Sequence, residues 1–495
     1  MKVKSIKVNA LFNVIYTITN MIFPLITYPY VTRVLSASGM GKVSFFTAVS
    51  NYAVMFGSLG ISTYGIRAVA KVRDNKHELS KVVQELLIIN GVITLIVVGV
   101  LLGLIPFVNK FNSEPILFVV NTIIILATPF GMTWLYSGLE QYEYITIRNI
   151  IFKMAALIMV FLLVKNKDDY AVYAFLTAFS TVASYICNLI YSRKFVDFHI
   201  IQHLEFLKHF KPMLYLFASI LAVSVYTNLD TIMLGFINGN FEVGLYSVAS
   251  KVKWLLLAAV NAVSAVLLPR LSNYYSNGKM KKYYDELRKS LSFVSLVTIP
   301  LVFYFILEAR DCILLLGGAD YRGAIPCMQI LMPILIVSGL SNVSGNQVLI
   351  PQGRDSKFMQ AVGVGAIVDI VLNIIFMPRY AAIGAAIATL IAETTQMLIQ
   401  LYFSREDILL YIRRKTIVNA LFASIIPAFL IYFIRKNVNI NCFINIIITS
   451  CIFFLVYAIV LLLIKDEYTY DFLKNVISWR KEKNEDSSNS PNEAK

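Results

Sequence analysis

The chain contains no GxxxxGK[ST] stretch, no HExxH and no CxxC. The first absence excludes a P-loop, so no nucleotide-driven motor of that kind lies in this chain. The second removes the helical zinc site of metalloproteases. The third, with five scattered cysteines (Cys187, Cys312, Cys327, Cys442 and Cys451), leaves neither a disulfide nor a metal framework. Histidine is scarce too: His77, His199, His203 and His209 all fall between apolar runs. His199 and His203 have a spacing that suits a metal on a helix, but "DFHIIQHLEF" reads as a solvated amphipathic linker. No metal and no cofactor is expected.

Charge is the larger scarcity. Only 15% of residues are charged, against about 25% in soluble domains. Hydrophobic residues make up 58%, and mean hydropathy is +0.70. A compact soluble fold cannot hide that much apolar surface, so the chain is expected to be an all-α polytopic membrane protein. Apolar runs near the roughly 20 residues that cross a bilayer predict about fourteen transmembrane helices. They fall at 9–33, 42–65, 82–106, 115–136, 145–164, 170–191, 212–236, 243–268, 291–309, 325–349, 357–377, 381–403, 416–434 and 441–464. The start "MKVKSIKVNALFNV" is basic and runs into a long apolar segment without an A-x-A-like site, so an uncleaved first helix is expected.

A net charge of +15 would suggest nucleic acid in a soluble protein. Here the placement of the basic residues explains it. With the N-terminus in the cytoplasm and the spans alternating, 31 of the 44 lysines and arginines fall inside and ten outside. The remaining three, Lys153, Lys251 and Lys253, lie within spans. This predicts both termini in the cytoplasm. The tail, ending "KEKNEDSSNSPNEAK", is expected to be partly disordered.

The sequence repeats itself. "TRVLSASGMGKVSFFTAVS" (32–50) aligns with "TIMLGFINGNFEVGLYSVAS" (231–250) with one residue inserted in the turn. The offset spans six helices, so the copies insert the same way up, as parallel repeats. The expected organisation is an N-lobe of six helices (1–192), a cytoplasmic linker (193–211) and a second six-helix lobe (212–404). Two extra helices (405–464) and a tail (465–495) follow. Two-lobe transporters hold substrate between their repeats near mid-membrane.

Charges inside spans mark candidate sites, because each costs several kcal/mol, roughly 2.5–3.5 on insertion scales. Arg33 ends the first span and Arg67 the second; Lys153 lies in the fifth. Each also suits a snorkelling or anchoring role. Asp230 lies within the seventh span, Asp369 in the middle of the eleventh and Glu393 in the twelfth. Thr389, Gln396 and Gln400 share the face of Glu393. Lys251 and Lys253 fall near the middle of the eighth span, about 200° apart around the helix. They cannot both point into one cavity, so at least one needs a carboxylate partner, with Asp230 and Asp369 as candidates. Their counterparts in the first repeat are Asn51 and Ala53, both uncharged. Several buried cations suit an anionic substrate group such as a phosphate or diphosphate.

Four segments carry a family resemblance: "YPYVTRVLSASGMGKVSFF", "GISTYGIRAVA", "NQVLIPQGRDSKFM" and "MPRYAAIGAAIATLIAE". In this order they resemble the Wzx-type repeat-unit flippases. These form the polysaccharide-transporter branch of the multidrug/oligosaccharidyl-lipid/polysaccharide exporter superfamily. The resemblance implies two six-helix bundles around a central cavity in a bacterial cell membrane. It implies a monomer that moves an undecaprenyl-diphosphate-linked oligosaccharide to the outer leaflet by alternating access. Ion-gradient coupling and work alongside a polysaccharide polymerase and other assembly proteins are also implied. Within the matching motifs, Arg33 and Arg67 take the role of diphosphate ligands. Lys153, Lys251 and Lys253 join them on the charge argument alone. Asp230, Asp369 and Glu393 are candidates for ion coupling or charge pairing. Alternatives are a lipid II-type flippase and a drug or cation antiporter of the same superfamily, although the lysines disfavour the antiporter. A membrane polymerase is disfavoured by the lack of any long external loop.

Overall fold

The computed structural model describes residues 6–199, 203–409, 411–437, 441–470 and 474. Lys2, Lys4 and the polar tail beyond residue 474, expected to be partly disordered, lie outside the described residues. Among the described residues there is no strand. The helices are α1 (Ile6–Ser58), α2 (Ile61–Val72), α3 (Lys76–Gly103), α4 (Asn109–Ser113), α5 (Pro115–Ala127) and α6 (Thr133–Gly138). They continue with α7 (Tyr142–Leu163), α8 (Tyr170–Ser192), α9 (Leu207–Ile237), α10 (Asn240–Ser276), α11 (Met280–Leu307) and α12 (Ala309–Gly317). The last are α13 (Ala324–Leu331), α14 (Ile334–Asn342), α15 (Asp355–Phe403), α16 (Arg405–Ile408), α17 (Arg414–Asn437) and α18 (Cys442–Leu463). An all-helical chain satisfies its backbone within each element, which lipid requires.

Eleven described stretches are long and apolar enough to cross a membrane. Two are far longer than the roughly 20 residues a bilayer needs: Leu11–Val72, of 62 residues, and Asp355–Phe403, of 49. Each covers two of the expected spans; Leu11–Val72 is broken at Ser36 and again between α1 and α2, and Asp355–Phe403 is broken once. In α1 the break is Ser36, at φ 63° and ψ 170°. Left-handed backbone costs an ordinary residue about 1–2 kcal/mol. The turn is held by Tyr321, whose hydroxyl donates to the Ser36 carbonyl at 3.0 Å, and by Thr32, whose hydroxyl donates to the Leu316 carbonyl. In α15 the break is Ala381, at φ 48°, three residues after Pro378. There the Ala382 amide donates to the Glu242 carboxylate at 3.2 Å.

The chain forms two compact units. The first comprises Met1–Ala249, Leu316–Cys327 and Ala366–Thr389; the second comprises Ser250–Leu315, Met328–Gly365 and Leu390–Lys495. The core of the first unit gathers Ile61, Val69, Leu79, Leu86, Leu135 and Tyr136 from α2, α3 and α6, with Met213 of α9. That of the second gathers Leu271, Tyr283, Leu287, Val343, Val348 and Ile408. In the second unit α17 and α18 pack on α11, where Tyr304, Ile431 and Phe453 meet. Large apolar side chains such as Leu95, Ile151 and Phe422 stay 63%, 58% and 62% exposed. This is the pattern of a surface solvated by lipid rather than water, and the protein is a multi-pass membrane protein.

The two sequence repeats touch each other inside the first unit. A Cβ on Gly41 would lie 1.7 Å from the Asn240 carbonyl oxygen, and one on Gly244 would lie 2.0 Å from the Ala37 oxygen. Main chain therefore meets main chain, and only glycine allows it. Gly244→Val is expected to part the two segments. A cysteine introduced at Ala37, which is 1% exposed, should then react with a water-soluble maleimide at least about tenfold faster, the mark of local opening. Gly363→Val, where a Cβ meets nothing within 4 Å, should leave that rate unchanged.

Candidate functional site

Among the described residues, two clusters of buried polar side chains gather candidates from the sequence. The first is built on Asp230 of α9, 2% exposed. Its Oδ2 accepts from the Tyr246 hydroxyl at 2.6 Å and the Thr389 hydroxyl at 2.8 Å. Its Oδ1 accepts from the Asn373 amide at 2.7 Å. Asp369 lies one turn before Asn373 on α15 and is fully buried. The Asn373 amide oxygen is buried without a hydrogen-bond partner. One carboxylate, an amide and two hydroxyls thus converge from three helices, with a second carboxylate one turn away along α15. This is an oxygen-rich set of the kind that hard cations take as ligands. Among the described residues no group of three or more His, Cys, Asp or Glu side chains is arranged to hold a metal. Three neutral donors occupy three of the roughly four positions at which the Asp230 carboxylate accepts hydrogen bonds.

The second cluster resolves the lysine pair. Lys253 is 2% exposed on α10, and its ammonium lies 3.7 Å from the Glu393 carboxylate. It also sits 5.6 Å from the centroid of the Trp254 ring. Glu393 in turn accepts from the Ser338 hydroxyl. Along the face shared with Glu393, Gln396 donates to Ser341 at 3.3 Å, and Gln400 accepts from Ser341 at 2.7 Å and Ser344 at 3.2 Å. Ser344 belongs to a π-helical turn, Val343–Leu349, that interrupts the "NQVLIPQG" segment. Such turns cluster at functional sites. Lys251 is half-buried and, two residues away, faces another direction from Lys253.

The remaining candidates are dispersed. Arg33 is exposed, one turn before the Ser36 break. Arg67 is exposed in α2, beyond the far end of the returning limb of α1. At 1.5 Å per residue, that limb separates the two arginines by more than a phosphate can bridge. Lys153 is half-buried and donates to the Asn20 side-chain oxygen at 2.5 Å, which Asn149 also reaches at 3.1 Å.

Three groups escaped the sequence reading. Asn20 is one; it is the third asparagine of the first span, after Asn9 and Asn13, and its place among apolar residues was its signal. The second is Lys110, in the short α4. Its ammonium donates to the Gly235 carbonyl and lies 4.3 Å from the centroid of the Phe45 ring. Burial pushes its pKa down to about 8. The third is a chain of contacts at the start of α9. The Tyr64 hydroxyl and His209 Nδ1 are 2.8 Å apart, and His209 Nε2 and the Glu85 carboxylate are 2.8 Å apart. Lys208 reaches the same carboxylate at 3.2 Å. Burial works against the Lys208 charge, but the bonds to Glu85 and Glu205 leave its pKa raised. Glu85 and His209 are 0% and 2% exposed.

A family profile described as "Polysaccharide biosynthesis protein" matches residues 6–275, more than half of the chain. The protein belongs to that family. A second profile, MatE, matches residues 216–375. The Escherichia coli (strain K12) protein named "Putative O-antigen transporter" is 25% identical over 411 residues, covering 82% of this chain and 98% of that one. Among solved structures, "Lipid II flippase MurJ, inward closed conformation" superposes with a TM-score of 0.74 at 18% identity, over 94% of this chain and 100% of that one. An inward-facing multidrug resistance MATE transporter of the MOP superfamily superposes with a TM-score of 0.59 at 13% identity, over 80% and 94%. The chain therefore has the fold shared by those two structures.

Two outcomes follow from the geometry. Glu393→Gln leaves Lys253 buried without its counter-charge, a loss of about 3–5 kcal/mol for a buried pair. Thermal unfolding in detergent should show the drop, and Lys253→Met with Glu393→Leu should recover most of it. Lys110 is held below its unfolded pKa, so its charge opposes folding at neutral pH. That penalty is relieved as pH rises from about 8 toward the unfolded value near 10.4. The melting temperature of the wild type should rise over this window relative to Lys110→Met.

Proposed function

We propose that the protein is a transporter without a catalytic step. It is a flippase that carries an undecaprenyl-diphosphate-linked oligosaccharide from the cytoplasmic to the outer leaflet for O-antigen, capsule or exopolysaccharide assembly. The observation that carries this reading is the similarity to the Escherichia coli protein named "Putative O-antigen transporter" over 98% of that protein's length. The lysine pair of α10, inside a membrane-spanning stretch, supports it. The proposed topology has fourteen spans, two six-helix lobes with two further helices, and both termini in the cytoplasm of a bacterial cell. The protein acts as a monomer, alongside a polysaccharide polymerase.

Lys251 is the proposed diphosphate ligand within the membrane. Lys253, neutralised by Glu393, holds the helix in place. Arg33, Arg67 and Lys153 act at other stages of the passage, since Arg33 and Arg67 stand too far apart to share one headgroup. Asp230, with Asp369, Asn373 and Thr389, binds the coupling cation. A cation resets the transporter only if it binds one state better than the other. A lipid II cargo is the second reading, favoured by the overlap with the lipid II flippase fold.

In proteoliposomes, the wild type should translocate fluorescent undecaprenyl-diphosphate oligosaccharide, and Lys251→Ala should lose most of that activity while melting normally. Transport of lipid II with no transport of the oligosaccharide would replace this reading by the second. Asp230→Asn should remove the dependence of transport on sodium or proton gradient, with a stability change of about 1–3 kcal/mol from the donors left facing an amide.

A further inference from the structure

A groove of about 750 Å³ runs between α7 and α8, and none of the residues of the two polar clusters lines it. One end is cationic and aromatic. Tyr144 and Tyr191 stack there with centroids 4.0 Å apart and planes 17° apart. The Arg148 guanidinium lies 5.7 Å from the centroid of the Tyr144 ring, and the Lys194 ammonium lies 5.6 Å from that of Tyr191. Arg148 is only 8% exposed, and Asn188 fixes it by accepting from Nη1. Its Nε is buried with no hydrogen-bond partner. Toward the middle of the helices the groove becomes apolar. Ile147, Ile151 and Ile190 line it while 47%, 58% and 62% exposed. From Tyr144 to Ile151 is about 10 Å along the helix, the distance from a headgroup into the acyl region of one leaflet.

We infer that this groove is a binding site for an anionic glycerophospholipid of the bilayer. The phosphodiester is held at the paired tyrosines by Arg148 and Lys194, and an acyl chain lies along the isoleucines. Charge selects the occupant. Glu143 also lines the groove, so two cations and one carboxylate leave a single net positive charge, matched to a monoanionic phosphodiester. A diphosphate would bring more negative charge than the groove neutralises. Basic side chains beside a leaflet each favour an anionic lipid by about 1 kcal/mol, and aromatic rings with one wet end belong at that depth.

The test is native mass spectrometry of the full-length protein, released from micelles containing equimolar phosphatidylglycerol and phosphatidylcholine. The wild type should retain phosphatidylglycerol with a preference of about fivefold, the effect of one basic residue. Lys194→Glu, an exposed position that leaves the fold intact, should abolish that preference. Ile151→Trp fills the apolar part and should shed both lipids. Equal retention of the two lipids by the wild type, or an unchanged preference in Lys194→Glu, would overturn the inference. So would displacement of the retained lipid by undecaprenyl diphosphate in the wild type but not in Lys194→Glu, which would assign the groove to the polyprenyl diphosphate. None of these readouts depends on transport, so they stand whatever cargo is moved.

Discussion

Lipid offers no hydrogen bonds, so each polar side chain within a span must find its partner inside the protein, and a charged one needs more than its own helix offers. That constraint organises both polar clusters. Asp230 draws α10 and both limbs of α15 onto α9 through Tyr246, Asn373 and Thr389. Lys253 binds α10 to the second limb of α15 through Glu393. Ser341, Ser344, Gln396 and Gln400 extend the second cluster as a ladder of neutral contacts. Neighbouring helices gain no hydrophobic drive in a membrane, so such contacts and close packing decide which surfaces meet.

The class of the fold was legible because composition alone forbids a water-soluble core. The breaks at Ser36 and Ala381 were legible as turns, since "SASGMG" and "MPRYAAIG" interrupt apolar runs. Partner choice was not. Sequence spacing showed that Lys251 and Lys253 diverge around their helix but not which carboxylate would arrive, and Glu393 rather than Asp230 took that place. Its place inside a span marked Lys153 as a costly charge, but its acceptor, Asn20, lies 133 residues away. Pairings of that kind follow from how helices pack, which local pattern does not encode.

The two repeated segments also meet in space. Residues 36–45 and 235–244 close on one another through backbone, with Phe45 against Phe236 at 5.2 Å between centroids and Lys110 capping the Gly235 carbonyl. The same scaffold is asymmetric in charge a few residues further along, where Asn51 and Ala53 stand opposite Lys251 and Lys253 in the alignment. Two segments alike in sequence thus lead into different sets of charges.

The contacts at the start of α9 have a mechanical consequence. Glu85, His209 and Tyr64 fasten its first turn to α2 and α3, and Asp230 fastens its last turns to α10 and α15. The helix is a beam clamped near both ends, with about 30 Å between the clamps at 1.5 Å per residue. A beam so held cannot slide or roll as a rigid rod. Any displacement of one clamp relative to the other becomes curvature in the turns between, and the elastic energy of that curvature is returned when the clamps come back into line.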